Sequence, residues 1–297
     1  MKGSVNWLSG LTPNRMKTES GKGVTLNYLK MGVGLLCTLS IVSEVLFAGD
    51  PILIAHRGLL RHAPENTLPA FSTCLDLGLG IELDIRTTKA GELVIIHDDS
   101  LQRTTDGGKR SIRDITWAEA QQLDAGKWFD PAFAETRIPT LEETLKLIRD
   151  RKRGETVIAL NIKQLNPEGE RKLIQLLEQY DLFGDCFGFD QSADMSQRLK
   201  KLNPKFRVGQ NVNRKNLEAR LSEGKLDVFL LTFVPEKSEV DSLKQQGKQV
   251  LFNFGGAGEA RRNPKVWNQI RAAGVEGMLT DYPLECRRIW KEADPGS

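Results

Sequence analysis

Ile81-Glu82-Leu83-Asp84-Ile85-Arg86 decides how this chain is read. Ile81, Leu83 and Ile85 alternate with Glu82, Asp84 and Arg86, the period-two pattern of a β-strand. Residues two apart in a strand share a face, so Glu82 and Asp84 project together. Two like charges side by side repel, and a hard divalent cation would give a reason to keep them, because such ions prefer carboxylate oxygens. Taken alone, the stretch reads as an amphipathic edge strand with a solvated polar face, since exposed acids are routine. Its neighbours change that reading.

Downstream and upstream, short apolar runs alternate with amphipathic segments. Strands are expected at Ile52–Ala55, Ile81–Arg86, Leu93–Ile96, Val157–Lys163, Cys186–Phe189, Phe206–Gln210, Val228–Leu231, Val250–Phe254 and Gly277–Leu279. The second and third are joined by the turn Lys89-Ala-Gly-Glu92. Helices are expected over Leu68–Leu77 after the cap Thr67, Thr116–Leu123, Thr140–Arg151, and Glu168–Tyr180 opened by Pro167. Around eight strands separated by helices, with no repeat or low-complexity linker, indicate a single-domain (β/α)8 TIM barrel over residues 49–297.

That fold places functional groups at the C-terminal ends of its strands. The ionisable residues obey. His56 and Arg57 follow the first strand, Glu82 and Asp84 lie late in the second, and His97 follows the third. Asn161 and Lys163 end the Val157 strand, and Asp281 follows the last. A lone histidine or lysine after a strand is usually incidental; five strands presenting such groups at one rim are not so easily dismissed.

Composition restricts the partners. The chain of 297 residues is 39% hydrophobic and 27% charged, with formal net charge +3. Residues 1–48 hold five basic and two acidic side chains, which leaves 37 of each sign in the remainder. No basic field exists to attract nucleic acid, so an anionic substrate must be recognised by local groups. Lys22 and Lys30 precede the apolar run Met31–Val42, and small residues follow near Ala48-Gly49. Residues 1–48 therefore read as a leader containing a signal peptide, which implies a secreted or periplasmic protein. Retention as a membrane anchor is the alternative, and contact with a membrane is expected only in that case. Cys74, Cys186 and Cys286, widely spaced and odd in number once Cys37 leaves with the leader, are expected as buried thiols.

The motifs Ala55-His56-Arg57-Gly58, Ala63-Pro64-Glu65-Asn66-Thr67, Ile81-Glu82-Leu83-Asp84 and Ile96-His97-Asp98 resemble the glycerophosphodiester phosphodiesterase family. So do Leu101-Gln-Arg-Thr-Thr-Asp-Gly107, Ile138-Pro-Thr-Leu-Glu142 and Thr280-Asp-Tyr-Pro283. The set runs in order from about residue 52 to residue 290. The resemblance implies a TIM barrel, in agreement with the strand count. It implies His56 and His97 as the general acid/base pair, Arg57 and Lys163 as phosphate ligands, and Glu82 and Asp84 as ligands of a divalent cation, Mg or Ca. Glu65 matches a carboxylate at the rim near that ion. His62, in Arg61-His62-Ala63-Pro64, has no counterpart and reads as a surface loop residue.

Two departures stand out. The family's third carboxylate, two residues before the lysine, is here Asn161, whose amide oxygen can coordinate a cation without contributing charge. At Leu251-Phe252-Asn253-Phe254-Gly255-Gly256, relatives often place a tryptophan and a polar residue near the leaving alcohol; here Phe252 and a Gly-rich turn stand instead. The expected function is metal-dependent hydrolysis of a small glycerophosphodiester to an alcohol and glycerol 3-phosphate. Alternatives are a lysophospholipase D-like activity on lysolipid headgroups, or a non-catalytic binder of phosphorylated compounds.

Overall fold

The computed structural model describes residues 51–154, 156–163, 165–254 and 262–293. The leader and its boundary at residue 48, Cys37, and the Gly255-Gly256 turn lie outside the described residues. Among the described residues no helix is long and apolar enough to cross a membrane.

Among the described residues nine strands form one sheet: β1 (Ile52–Ala55), β2 (Gly80–Thr87), β3 (Leu93–Ile95), β4 (Ile158–Ile162), β5 (Cys186–Phe189), β6 (Gly209–Val212), β7 (Val228–Leu231), β8 (Gln249–Asn253) and β9 (Gly277–Thr280). Eight are parallel, in the order β5-β4-β2-β1-β9-β8-β7-β6. The ends of that series meet where Gly188 bridges Val208 and donates its N–H to Arg207 O at 3.0 Å. A nearly closed eight-stranded barrel results, with helices between the strands, so the sequence-based expectation of a TIM barrel holds. Cys74, Cys186 and Cys286 are buried free thiols, as expected.

Side-chain alternation sorts each strand into two faces. Ile54, Ala159, Phe187, Phe189, Val228, Leu230, Leu251 and Leu279 cluster together as the plug of the barrel. Their opposite-parity neighbours, such as Leu53, Leu83, Leu160, Phe229, Phe252 and Met278, join a separate cluster with the helices. Along the inward parity, the residues beyond the plug turn polar: His56, Glu82 and Asp84, Asn161 and Lys163, Asn253, and Asp281. Packing against the helices buries one face, and the polar layer floors the open mouth.

The helices form where their ends are satisfied. Thr140 opens the helix Leu141–Arg151 with a reciprocal box: its hydroxyl accepts from Glu143 N–H, and the Glu143 side chain accepts from Thr140 N–H. Asn166 caps the helix Pro167–Gln179 by accepting from Gly169 N–H. Such caps are each worth about 1 kcal/mol. Leu68–Asp76 starts after Thr67, whose hydroxyl instead donates to Pro64 O and ties the preceding loop.

Three expectations need correction. Leu93–Ile96 is not a barrel strand: β3 pairs antiparallel with β2, Ile85 opposite Ile95 and Thr87 opposite Leu93. The chain rises along β2, turns over the rim and descends, so His97 reaches the mouth from a hairpin and not from the end of a barrel stave. The helix expected over Thr116–Leu123 spans only Trp117–Ala120, because Gln122 and Leu123 N–H bond three residues back and tighten the chain into turns. The strand expected at Phe206–Gln210 begins at Gly209, because Phe206 is spent on packing at the seam, where a Cβ on Gly188 would lie 2.5 Å from its ring.

The register of β1 against β9 sets up the mouth. Ile52 pairs with Gly277 and Ala55 with Thr280, and a Cβ on Gly277 would stand 2.2 Å from the carbonyl oxygen of Ile52. A backbone atom cannot swing aside, so the two strands would have to part. Gly277→Ala is expected to cost at least the ~1–3 kcal/mol of an overpacked core, read as a lower urea midpoint with an unchanged m-value.

Candidate active site

The strand register brings together groups that are far apart in sequence. Ala55 lies opposite both Ile81 and Thr280, which sets the next residue, His56, between Glu82 and Asp281. Asp84 lies opposite Asn161 on the neighbouring strand. Lys163 continues that strand and donates its N–H to Ile85 O at 3.2 Å. His97 follows Ile96, whose N–H bonds Asp84 O at 3.0 Å. Six of the eight residues singled out from the sequence, His56, Arg57, Glu82, Asp84, Asn161 and Lys163, therefore line one mouth; His97 and Glu65 join them from the loops above.

Glu82 and Asp84 are completely buried. This overturns the solvated edge-strand reading of the opening stretch. An unaccompanied pair of buried carboxylates would be untenable, and the structure surrounds it with donors and cations. The Arg57 N–H donates to Glu82 Oε2 at 2.8 Å, and His56 Nε2 lies 4.0 Å from the same oxygen. Asn66 Nδ2 donates to Asp84 Oδ2 at 2.8 Å, and Asn66 Oδ1 accepts from the Asp84 N–H. Lys163 Nζ stands 3.0 Å from Asp84 Oδ1, and Arg57 Nε 3.6 Å from Oδ2. The pair is split electrostatically. Burial and the neighbouring Asp84 charge push the Glu82 carboxyl upward. Burial also works against the Asp84 charge, but Lys163, His97, Asn66 and Arg57 outweigh it and hold Asp84 below its ordinary value.

The loop after β1 is bent to deliver those donors. Arg57 and Asn66 both adopt left-handed backbone, φ 56° and 57°, and the Asn66 N–H closes the loop on Arg57 O at 2.9 Å. Asparagine tolerates that region; arginine there is a local strain of the kind that functional sites retain. Gly58 follows at φ 79°, where a Cβ would meet the Ala70 side chain at 2.8 Å.

Each histidine has a carboxylate behind it. His56 Nδ1 lies 2.6 Å from Asp281 Oδ1, and His97 Nδ1 lies 2.7 Å from Asp98 Oδ1. With Nδ1 committed, Nε2 is the nitrogen each ring can offer to a ligand. The two differ in charge environment. Burial disfavours the His56 imidazolium, but the Asp281 hydrogen bond and the Glu82 charge outweigh it, and the His56 pKa is raised. For His97, burial prevails over Asp84 and Asp98, helped by the cations Arg57 and Lys163, and the pKa is lowered. Asp98 is shared with Arg103, whose Nε donates to Asp98 Oδ2 at 2.6 Å and holds that carboxyl down to about 2.

Glu65 is gripped by two guanidiniums. Arg57 Nη1 donates to its Oε1 at 3.0 Å, and Arg103 donates to both oxygens at 2.8 Å. To reach a cation it would have to give up one of these bonds. His62 is exposed, and Phe252 packs with the helix layer against Phe254, so neither aromatic ring faces the mouth from that strand's inward side. Asn253 takes that inward position and donates to Asn211 Oδ1 at 2.8 Å.

Asn66, Asp98, Arg103 and Asn253 were not picked out from the sequence, and Asp281 was noted only as a rim residue. Most of the signal was present: Asn66, Asp98, Arg103 and Asp281 all lie inside motifs quoted above. Their roles are to hold other side chains, which a motif by itself does not reveal.

Some polar atoms in the mouth have no hydrogen-bond partner despite burial: Arg57 Nε among donors, and Glu82 Oε1 and Asn161 Oδ1 among acceptors. A buried donor without an acceptor and buried acceptors without a donor are costly unless a ligand completes them. Among the described residues no group of three or more His, Cys, Asp or Glu is arranged to hold a metal ion; beside Glu82 and Asp84 the neighbouring strand offers the amide of Asn161.

Comparison with known proteins agrees with this geometry. The model of the glycerophosphoryl diester phosphodiesterase family matches residues 56–285. A glycerophosphodiester phosphodiesterase of Caldanaerobacter subterraneus subsp. tengcongensis is 35% identical over 242 residues, covering 78% of this chain and 94% of that relative. One from Bacillus subtilis (strain 168) is 29% identical over 256 residues, covering 80% and 86%. Among solved structures, glycerophosphodiester phosphodiesterase from Agrobacterium tumefaciens str. C58 superposes with a TM-score of 0.67 at 26% identity, covering 80% of this chain and 99% of that one. A phosphodiesterase of Oleispira antarctica, in complex with the product sn-glycerol-3-phosphate, gives a TM-score of 0.65 at 25% identity, covering 81% and 97%. The chain belongs to the glycerophosphoryl diester phosphodiesterase family and is a phosphoric diester hydrolase.

Proposed function

We propose that the mouth of this barrel hydrolyses a small glycerophosphodiester to an alcohol and glycerol 3-phosphate with His56 and His97 as the acid/base pair. The observation that supports it most is the coexistence of unsatisfied groups of both signs. The buried Arg57 Nε lacks a hydrogen-bond acceptor, with the Asp84 carboxylate no nearer than 3.6 Å, while the buried Glu82 Oε1 and Asn161 Oδ1 lack a donor or cation. A phosphodiester accompanied by a divalent cation satisfies both. The product complex of the Oleispira relative supports the same substrate class.

The residues present fit a hard cation such as Mg or Ca. Glu82 Oε1 and Asn161 Oδ1 would hold it together with Asp84, which shares its charge with Lys163. When bound, it would polarise a phosphoryl oxygen and favour the ionised form of the attacking hydroxyl. With one amide in place of a carboxylate, the ion is held less tightly than three carboxylates would hold it.

Arg57 and Lys163 bind the non-bridging oxygens, Arg57 through its planar fork and Lys163 as a point charge. His97, with the lowered pKa, is neutral at pH 7 and takes a proton from the attacking hydroxyl, either of water or of the substrate's own glycerol, the second route giving a cyclic phosphate that water then opens to glycerol 3-phosphate. His56, whose hold on its proton is strengthened by Asp281, gives that proton to the alcohol oxygen as the P–O bond breaks. The strained turn at Arg57 and the Glu65–Arg103 clamp keep the guanidinium in place.

Residues 1–48 are read as a leader, so the reaction takes place outside the cytoplasm; N-terminal sequencing of the exported protein checks cleavage near Ala48.

His56→Ala and His97→Ala are each expected to lower kcat/KM by roughly 10²–10⁴ while the thermal midpoint stays close to the parent's. Retained turnover in both would overturn the assignment. The pH–rate profile should be bell-shaped. Activity rises with pH as His97 loses its proton, at a pH below the ordinary 6.5, and falls as His56 loses its proton, above 6.5. Asp281→Asn removes the group that holds the His56 proton, so the alkaline limb should move to lower pH.

Chelator should abolish turnover, and added Mg or Ca should restore it. In Asn161→Glu, half-maximal restoration should need less metal than in the parent, because a third charge joins the site. Full activity in chelator would remove the metal from the mechanism.

A further inference from the structure

The polar ring at the mouth has two halves of different chemistry. Arg57, Glu82, Asp84 and Lys163 charge the half built by β1, β2 and β4. The other half is built by β8, β7, β6 and β5, and amides dominate it. Asn211 faces inward, since it pairs with the plug residue Leu230 while its neighbour Val212 joins the helix layer. Asn253 stands two residues beyond the plug residue Leu251 and pairs with Leu279, two residues before Asp281. Asp190 follows Phe189, which pairs with Asn161. The arc therefore continues the ring from Asn161 round to Asp281 and shares one opening with the phosphate ligands.

Hydrogen bonds tie the arc together. Asn253 Nδ2 donates to Asn211 Oδ1 at 2.8 Å, crossing from β8 to β6 past the intervening β7. Asn211 Nδ2 donates to Asp190 Oδ1 at 2.8 Å, and Asp190 takes left-handed backbone, φ 64°, which aspartate tolerates. These bonds use one of the two N–H groups on each amide and one of the two Asp190 oxygens. Gln191, next in the chain, is buried with its Oε1 lacking a donor. Amides present donors and acceptors together without net charge. A hydroxyl matches that pattern because it also does both. A quaternary ammonium has no hydrogen bond to exchange with an amide.

We propose that Asn211, Asn253 and Asp190 form the subsite for the glycerol group of the substrate and recognise its free hydroxyls. The proposal rests on reading the mouth as a glycerophosphodiester site. It adds to that reading the side chains that distinguish a polyol from other esters of phosphate.

Calorimetric titration of the full-length protein, in one Mg-containing buffer, compares glycerol 3-phosphate, n-propyl phosphate and phosphocholine. n-Propyl phosphate has the carbon count and charge of glycerol 3-phosphate but neither hydroxyl, so it isolates their contribution. The parent should bind glycerol 3-phosphate about tenfold more tightly than propyl phosphate, the net worth of one or two hydrogen bonds. Asn211→Leu and Asn253→Leu should each bring that ratio toward one while propyl phosphate binds as in the parent. Retained affinity for propyl phosphate shows that the fold and the phosphate ligands are intact. A parent ratio near one, or a ratio unchanged in both variants, overturns the proposal. Equal weakening of both ligands overturns it too, because the amides are then structural. So does tighter binding of phosphocholine than of glycerol 3-phosphate, which assigns Asp190 to an ammonium. The hydrolytic reading fails separately, if the parent releases no glycerol 3-phosphate from glycerophosphoglycerol, while the binding ratio still decides this subsite.

Discussion

Everything at the mouth of this barrel follows from burying Glu82 and Asp84 side by side. Two carboxylates without solvent repel each other and cost several kcal/mol each to desolvate. The fold accommodates them by recruiting compensation from every neighbouring element. A backbone N–H comes from the turn after β1, an amide from Asn66, an ammonium from the end of β4, and a guanidinium from Arg57. That compensation stops short of completion, and the incompleteness is what creates a binding site. Had every oxygen been satisfied internally, the layer would have been a structural polar core and nothing more.

The outer arrangement extends the same logic by one step. Asp281, Asp98 and Glu65 touch the histidines and Arg57, and Arg103 in turn bridges Asp98 and Glu65. Charges alternate outward from the buried pair, so each group is held by one of opposite sign. The two histidines end up different because the Asp281 hydrogen bond and the Glu82 charge outweigh burial at His56, whereas at His97 burial, with the cations Arg57 and Lys163, outweighs Asp84 and Asp98. Near-identical local motifs, a ring nitrogen on an aspartate, thereby acquire opposite tendencies.

Much of this was legible in the sequence, and the parts that were not share a physical reason. The periodicity of Ile81–Arg86 gave β2 and the common face of its two acids, and β1, β5 and β7 were placed to the residue. Periodicity says nothing about direction, so Leu93–Ile96 looked like another stave when it is the descending arm of a hairpin. Nor does it report burial: the same alternation serves a solvated edge and a strand with both faces covered, and only the surrounding barrel distinguishes them. Phe206 illustrates a third limit. Its apolar character was read correctly, but the residue fills a seam opened by Gly188 instead of extending β6. Asn66 and Arg103 act by holding other side chains, and such roles depend on contacts between loops more than ten residues apart.

The hairpin of β2 and β3 also sets the order in which the site comes apart. Glu82, Asp84 and His97 are carried on one stretch of paired backbone, so the distance between them is guarded by ladder hydrogen bonds at the centre of the sheet. Arg103 belongs to the segment beyond, whose small core of Leu101, Ile112, Ile115, Ala120 and Leu123 packs on Val94 and Ile96 of the hairpin and whose ion pairs reach Glu65 and Asp98. Local opening follows such divisions. Release of the Arg103 ion pairs at the edge of that segment would free Glu65 and Asp98 while the ladder still holds Glu82, Asp84 and His97 in register: the enzyme would lose its tuning before it lost its geometry.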